Sequence, residues 1–135
     1  MTDNLSAKDN WFRALNSFRM AEMGREVSPD DAASRAYYAA FHAVSALFEL
    51  EGKTFKRHSA VENEVHFGLV HSGRWSKELG AKYKALHRLR MIGDYGSMMH
   101  VTVDEAAEAI ASAREILSAV STAQPELFHF ETESD

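Results

Sequence analysis

Cysteine is absent from this 135-residue chain, which excludes disulfides, thiolate metal sites and a cysteine nucleophile, and suits a reducing compartment. Proline occurs only at 29 and 125, and runs of β-branched residues are few, which speaks against a sheet. No apolar run approaches the ~18 residues that a membrane-spanning helix needs. The opening MTDNLSAKDN lacks the basic-then-apolar layout of a signal peptide. These absences predict a cytoplasmic protein that does not enter a membrane. Also missing are a Gly-rich phosphate loop, a serine elbow, a paired-carboxylate site, an H-E-x-x-H motif and the Glu-x-x-His pairs of a di-iron bundle. His66 and His71 would sit about 140° apart around a helix, a poor chelating pair. No metal and no other cofactor is expected.

The length suffices for one domain with a proper core. A single helical bundle is predicted over residues 1–124, followed by an acidic tail, 125–135. The net charge of −5 argues against general nucleic-acid affinity and against a DNA groove reader. The charge is unevenly spread, however. From Lys53 to Arg90 nine Lys/Arg face three Glu, whereas the rest of the chain has six basic and seventeen acidic residues. Such asymmetry marks either a local anion-binding face or a solvated helix face balanced by acidic neighbours in space.

Five helical segments can be drawn. The first runs from about Lys8 to Arg25. The second opens at SPDD, where Ser28 suits the N-cap, Pro29 the first helical position, and Asp30 and Asp31 the positive helix start. It should run to about Leu50 and end near Gly52. The third covers Ser59 to His71 and the fourth Lys77 to Asp94. The fifth opens at TVDE, with Thr102 and Glu105 at capping-box spacing, and is limited by Pro125. Leu127, Phe128 and Phe130 of the tail could dock on the bundle or on a partner. The fold class is all-α, an up-and-down bundle of four to five helices.

In the second helix, Tyr37, Phe41, Val44 and Phe48 share one face at about 100° per residue and read as core. Arg35, His42 and Glu49 lie nearly opposite, with Tyr38 beside them. Alanines at 36, 39, 40, 43 and 46 thin the helix, so it should be central and contacted on two sides. A buried Arg35 would need a charge partner, and Asp94 is one candidate. His42 alone reads more readily as a satisfied structural histidine. His58, after Lys56-Arg57, could meet phosphate or cap the third helix.

Three blocks, SRAYYAAFHAVSALF, KTFKRHSAV and LHRLRMIGDYG, stand in an order and spacing that resemble the HEPN domain family, in its small single-domain bacterial and archaeal branch. The resemblance implies a HEPN-like bundle, commonly a homodimer, that binds RNA or nucleotides. It also implies a possible nucleotidyltransferase protein partner in a toxin–antitoxin or defence pair. Nuclease members carry an Arg followed, after four to six positions, by a His. Two such motifs meet across the dimer, where Arg would steady the scissile phosphate and His assist proton transfer.

The sequence departs from that pattern. Arg90 matches the expected arginine, but Met91 follows it and the next histidine, His100, comes after nine intervening residues. Asp94-Tyr95 stands where the histidine would fall. Arg35 and His42 have six residues between them but lie on the second helix. A binding module is therefore favoured, using Arg35, Tyr38, His42, His58, His87, Arg90, Asp94 and Tyr95. Arg35 and Arg90 are expected to share a recess lined by His42 and His87, with Asp94 paired to Arg90 within the helix or to Arg35 across helices. The rivals are a metal-independent endoribonuclease using Arg90 with His87, His42 or His100, and a non-catalytic dimerisation or scaffold domain.

Overall fold

The structure, a computed structural model, describes residues 4–96 and 98–130. Five α-helices make the bundle: α1 Leu5–Gly24, α2 Pro29–Leu50, α3 His58–Glu64, α4 Lys77–Tyr95 and α5 Val103–Ala123. The described residues contain no strand, so the all-α expectation holds. The central position predicted for α2 is also observed, since α1, α4 and α5 all pack on it. Its alanines explain why. Ala32, Ala33, Ala36, Ala39, Ala40, Ala43 and Ala46 are all buried, which lets backbones approach closely around one slender helix.

The helix ends follow the local chemistry. Ser28 Oγ accepts from the Asp31 amide at 3.4 Å, Pro29 begins α2, and two aspartates occupy its first turn. At the other end Gly52 adopts φ +86°, a left-handed conformation that a side chain would disfavour. Thr102 and Glu105 exchange both bonds of a capping box at 3.0 Å.

The third helix differs from its expected form. After α3 the backbone widens into a π-helical segment, Val65–Val70, closed by the bond from the His71 amide to the His66 carbonyl at 2.8 Å. Val61, Val65 and Leu69 still reach the core. The widened segment sets Val70 on α4 at Gly80, where a Cβ would stand 2.5 Å from Val70 Cγ2. Apolar spacing alone does not distinguish a π turn from an α turn.

Two contacts position the candidate site. Gly93 of α4 lies against the backbone of Asp30, and an added Cβ would be 2.7 Å from the Asp30 carbonyl oxygen. The Asp30 carboxylate in turn accepts from the Val101 amide at 2.7 Å and faces His100 Nδ1 at 2.8 Å. The end of α4, the start of α2 and the loop before α5 are thus tied at one point. At the opposite side, the described part of the tail folds back. Phe128 is fully buried against Trp11, with centroids 5.2 Å apart, and Trp11 Nε1 donates to the His129 carbonyl at 3.1 Å. Phe130 stands edge-on to Trp11 and Phe18. Residues 131–135 lie outside the described residues.

Candidate functional site

The side chains with chemistry gather where the second half of α4 crosses the first half of α2. Tyr37, Tyr38, Phe41 and Ser34 come from α2, and His87, Arg90, Asp94 and Tyr95 from α4, all within four turns of the helix crossing set by Gly93. The α2–α3 loop adds His58 as the first residue of α3.

Arg90 is the hub. Its Nε donates to Asp94 Oδ2 at 3.1 Å and its Nη2 to the Tyr38 hydroxyl at 2.9 Å. The guanidinium carbon stands 5.3 to 5.6 Å from the ring centroids of Tyr37, Tyr38 and Tyr95, within cation–π range. Only 14 % of the side chain is exposed. Burial opposes the charge, but the surrounding phenol oxygens and Asp94 outweigh it and hold the guanidinium above its ordinary pKa. Asp94 Oδ2 also accepts from Ser34 Oγ at 3.4 Å, which links α4 back to α2.

His58 forms the floor of this cluster. Its ring stacks on Phe41 at 4.1 Å and 5°, and its Nδ1 lies 2.8 Å from the Tyr37 hydroxyl. Burial, then the neighbouring Arg90 and His87, push its pKa down, so the ring is neutral at pH 7. Burial pushes Tyr37 up to about 12, so that hydroxyl keeps its proton. His87 lies edge-on to Tyr37 at 5.5 Å, and its Nδ1 is buried with no hydrogen-bond partner among the described residues. Tyr95 remains 65 % exposed beside Arg90.

Two expected members of the recess sit elsewhere. Arg35 is exposed and lines a neighbouring groove of about 510 Å³ between the end of α1 and the start of α2, which shares Tyr38 with the cluster. It makes no ion pair among the described residues, and Asp94 is taken by Arg90 instead. The ring of His42 lies beside Tyr38 at 6.1 Å, but its Nδ1 faces Asn10 Oδ1 of α1 at 3.1 Å. His100 is turned to Asp30, away from Arg90. His58 and Arg90 are both expected in the site, but that they would meet on Tyr37, His58 Nδ1 at 2.8 Å from its hydroxyl and the Arg90 guanidinium 5.4 Å from its ring, was not foreseen. The only signal for it was the basic Lys56-Arg57 run before the third helix.

The uneven charge is also resolved in space. Lys53, Arg74 and Lys82, all from the basic stretch, pair with Glu64, Glu51 and Glu115 at 2.7, 2.8 and 2.6 Å. For these three, acidic neighbours balance the run, whereas Arg90, the cation that aromatics enclose, is the candidate for a ligand.

His42 carries a pH prediction. Burial first, then Arg13 and His58, lower its pKa from 6.5 to about 4. The folded state therefore binds fewer protons than the unfolded state between these values, and stability falls as pH drops through 6.5 towards 4. Discounted for the ring's partial solvation, the loss should be about 1–2 kcal/mol. Urea midpoints at pH 7 and pH 4.5, compared between wild type and His42→Gln, would isolate it. An equal pH dependence in both proteins would refute the assignment.

Comparison with known proteins agrees with this architecture. The HEPN domain model matches residues 7–123. A UPF0332 protein of Thermotoga maritima is 35 % identical over 89 residues, covering 66 % of this chain and 67 % of that protein. The crystal structure of TT1696 from Thermus thermophilus superposes with a TM-score of 0.74 at 23 % identity, covering 86 % of this chain and 96 % of that one, and shares the fold.

Proposed function

Because the chain belongs to the HEPN domain family, we propose that it is a module that binds RNA through a phosphate at Arg90, in partnership with a second copy and a nucleotidyltransferase protein in a cytoplasmic toxin–antitoxin or defence pair. One observation carries the reading. Arg90 is already oriented, with Nε and Nη2 bonded and three tyrosine rings around it. A guanidinium held in this way gives up little rotamer freedom when its remaining N–H edge meets a phosphate oxygen. The exposed Tyr95 supplies a ring on which a base can stack. Arg35, in the groove that shares Tyr38, extends the track for a phosphate backbone.

The large apolar side chains at this end of the molecule support a protein partner there. Met91, Tyr95, Met98 and Met99 are exposed on the last turns of α4 and in the loop after it. Such a surface beside Arg90 suits a second subunit that completes the site.

Fluorescence anisotropy with a labelled single-stranded 12-mer RNA tests the proposal. Wild type should bind with a steep salt dependence, and Arg90→Gln should weaken binding by about tenfold. Absence of binding, or equal affinity in the variant, would overturn it. His58 and Arg90 both meet Tyr37, which gives the endoribonuclease alternative its chemistry, a neutral imidazole near a phosphate-binding cation. Cleavage that survives chelator and disappears in both His58→Ala and Arg90→Gln would favour that alternative.

A further inference from the structure

A cavity of about 160 Å³ opens between α1, α2 and the α2–α3 loop, next to the Arg90 cluster. Phe41, Phe48 and Phe55 form apolar walls, and Asn10, Ser45 and Glu49 line the polar side. Phe41 also carries His58 stacked at 4.1 Å, so cavity and cluster share a wall. The volume is below that of a pocket for a whole cofactor and suits one planar ring system.

The polar side is selective. Glu49 Oε1 accepts from Ser6 Oγ at 2.8 Å and Asn10 Nδ2 at 3.0 Å, both neutral donors. Among the described residues no cation comes within 4 Å of this carboxylate, because Lys53, on the same wall, is committed to Glu64 at 2.7 Å. Asn10 is engaged at both ends of its amide. Its amide nitrogen donates to Glu49, so its Oδ1 accepts from His42 Nδ1, 3.1 Å away. Behind the aromatic walls there remains a carboxylate, a group that can only accept, whose Oε1 is bonded to Ser6 and Asn10 and whose Oε2 has no hydrogen bond among the described residues.

We propose that this cavity takes a guanine base of the bound RNA, with Glu49 Oε2 accepting from one of its N1–H and N2 amino donors and Oε1 from the other in exchange for the bond to the exposed Ser6 hydroxyl. Of the four RNA bases, guanine alone presents two adjacent N–H donors on its pairing edge. Adenine, cytosine and uracil each set an acceptor beside a donor, and that acceptor would face the carboxylate. The proposal rests on the RNA-binding reading above, and its test separates the two.

The probes are fluorescein-labelled decauridylates with one central guanosine, inosine or adenosine. Wild type should prefer guanosine to adenosine by about tenfold or more, with inosine, which lacks the amino group, in between. Glu49→Gln should erase the preference while the adenosine strand binds as before. Ser45→Leu, which fills the cavity and leaves the carboxylate in place, should erase it too. Equal binding of the three strands by wild type, or a preference that survives both variants, would overturn the guanine site and leave RNA binding standing. Failure to bind any strand would remove both.

Discussion

Phe128→Ala should lower the free energy of unfolding by about 3–5 kcal/mol, the range for deleting a large aromatic from a well-packed core. The residue follows α5 in a segment whose composition reads as an acidic tail, yet its ring is fully buried against Trp11. The segment cannot simply detach, because the Trp11 indole donates to the His129 carbonyl and Phe130 braces both Trp11 and Phe18. Removing the ring would therefore leave a void between α1 and the chain end that α-helical neighbours cannot fill by a small shift. Urea unfolding followed by circular dichroism gives the value directly. A loss below about 1 kcal/mol would show that the segment is peripheral. RNA affinity should be unchanged where the variant is folded, since the Arg90 cluster lies on the far side of α2.

Gly93→Ala should destabilise the protein by about 1–3 kcal/mol, although alanine favours an isolated helix over glycine by about 1 kcal/mol. The contact decides the sign. The new methyl would meet the Asp30 carbonyl oxygen at 2.7 Å and its carbonyl carbon and Cα at 3.3 Å, all backbone atoms that cannot rotate away. Pushing α4 from α2 would also disturb the Asp30 bonds to Val101 and His100 and lengthen the reach from Arg90 to Tyr38. RNA binding should weaken together with stability, unlike in Phe128→Ala. Gly24→Ala is the control, because nothing lies within 4 Å of its added Cβ. A stabilised Gly93→Ala would mean that the two helices can part without consequence, against the packing described here. The measurements are a pair of urea midpoints and the same 12-mer titration.

Much of the fold was legible because helix ends write themselves locally. Ser28-Pro29 and the Thr102–Glu105 box each act within one turn, so residue order suffices to place them. The pairing of Arg90 with Asp94 is of the same kind, four residues apart on one helix. The candidate cluster was only half legible. Helical spacing puts Arg35 and His42 on a common side of α2 but does not say which neighbour faces them. The structure turns His42 to Asn10 of α1 and leaves Arg35 in a separate groove. His58 reaches Phe41 and Tyr37 only because the loop after α2 folds back over that helix, a tertiary event with no local signature. The π-helical segment was invisible for a related reason, since its buried valines and leucine satisfy α spacing equally well.

The buried alanines of α2 have a mechanical consequence. Side chains that short have no rotamers to exchange, so at these positions the contacts of α2 cannot repack to absorb a displacement. A push delivered to α1 by a docked protein must pass through α2 as a tilt or slide of the whole rod. The guanidinium at the far end of α4 would then feel a partner on the opposite flank as a change in aim, much as a lever feels a hand on its other arm.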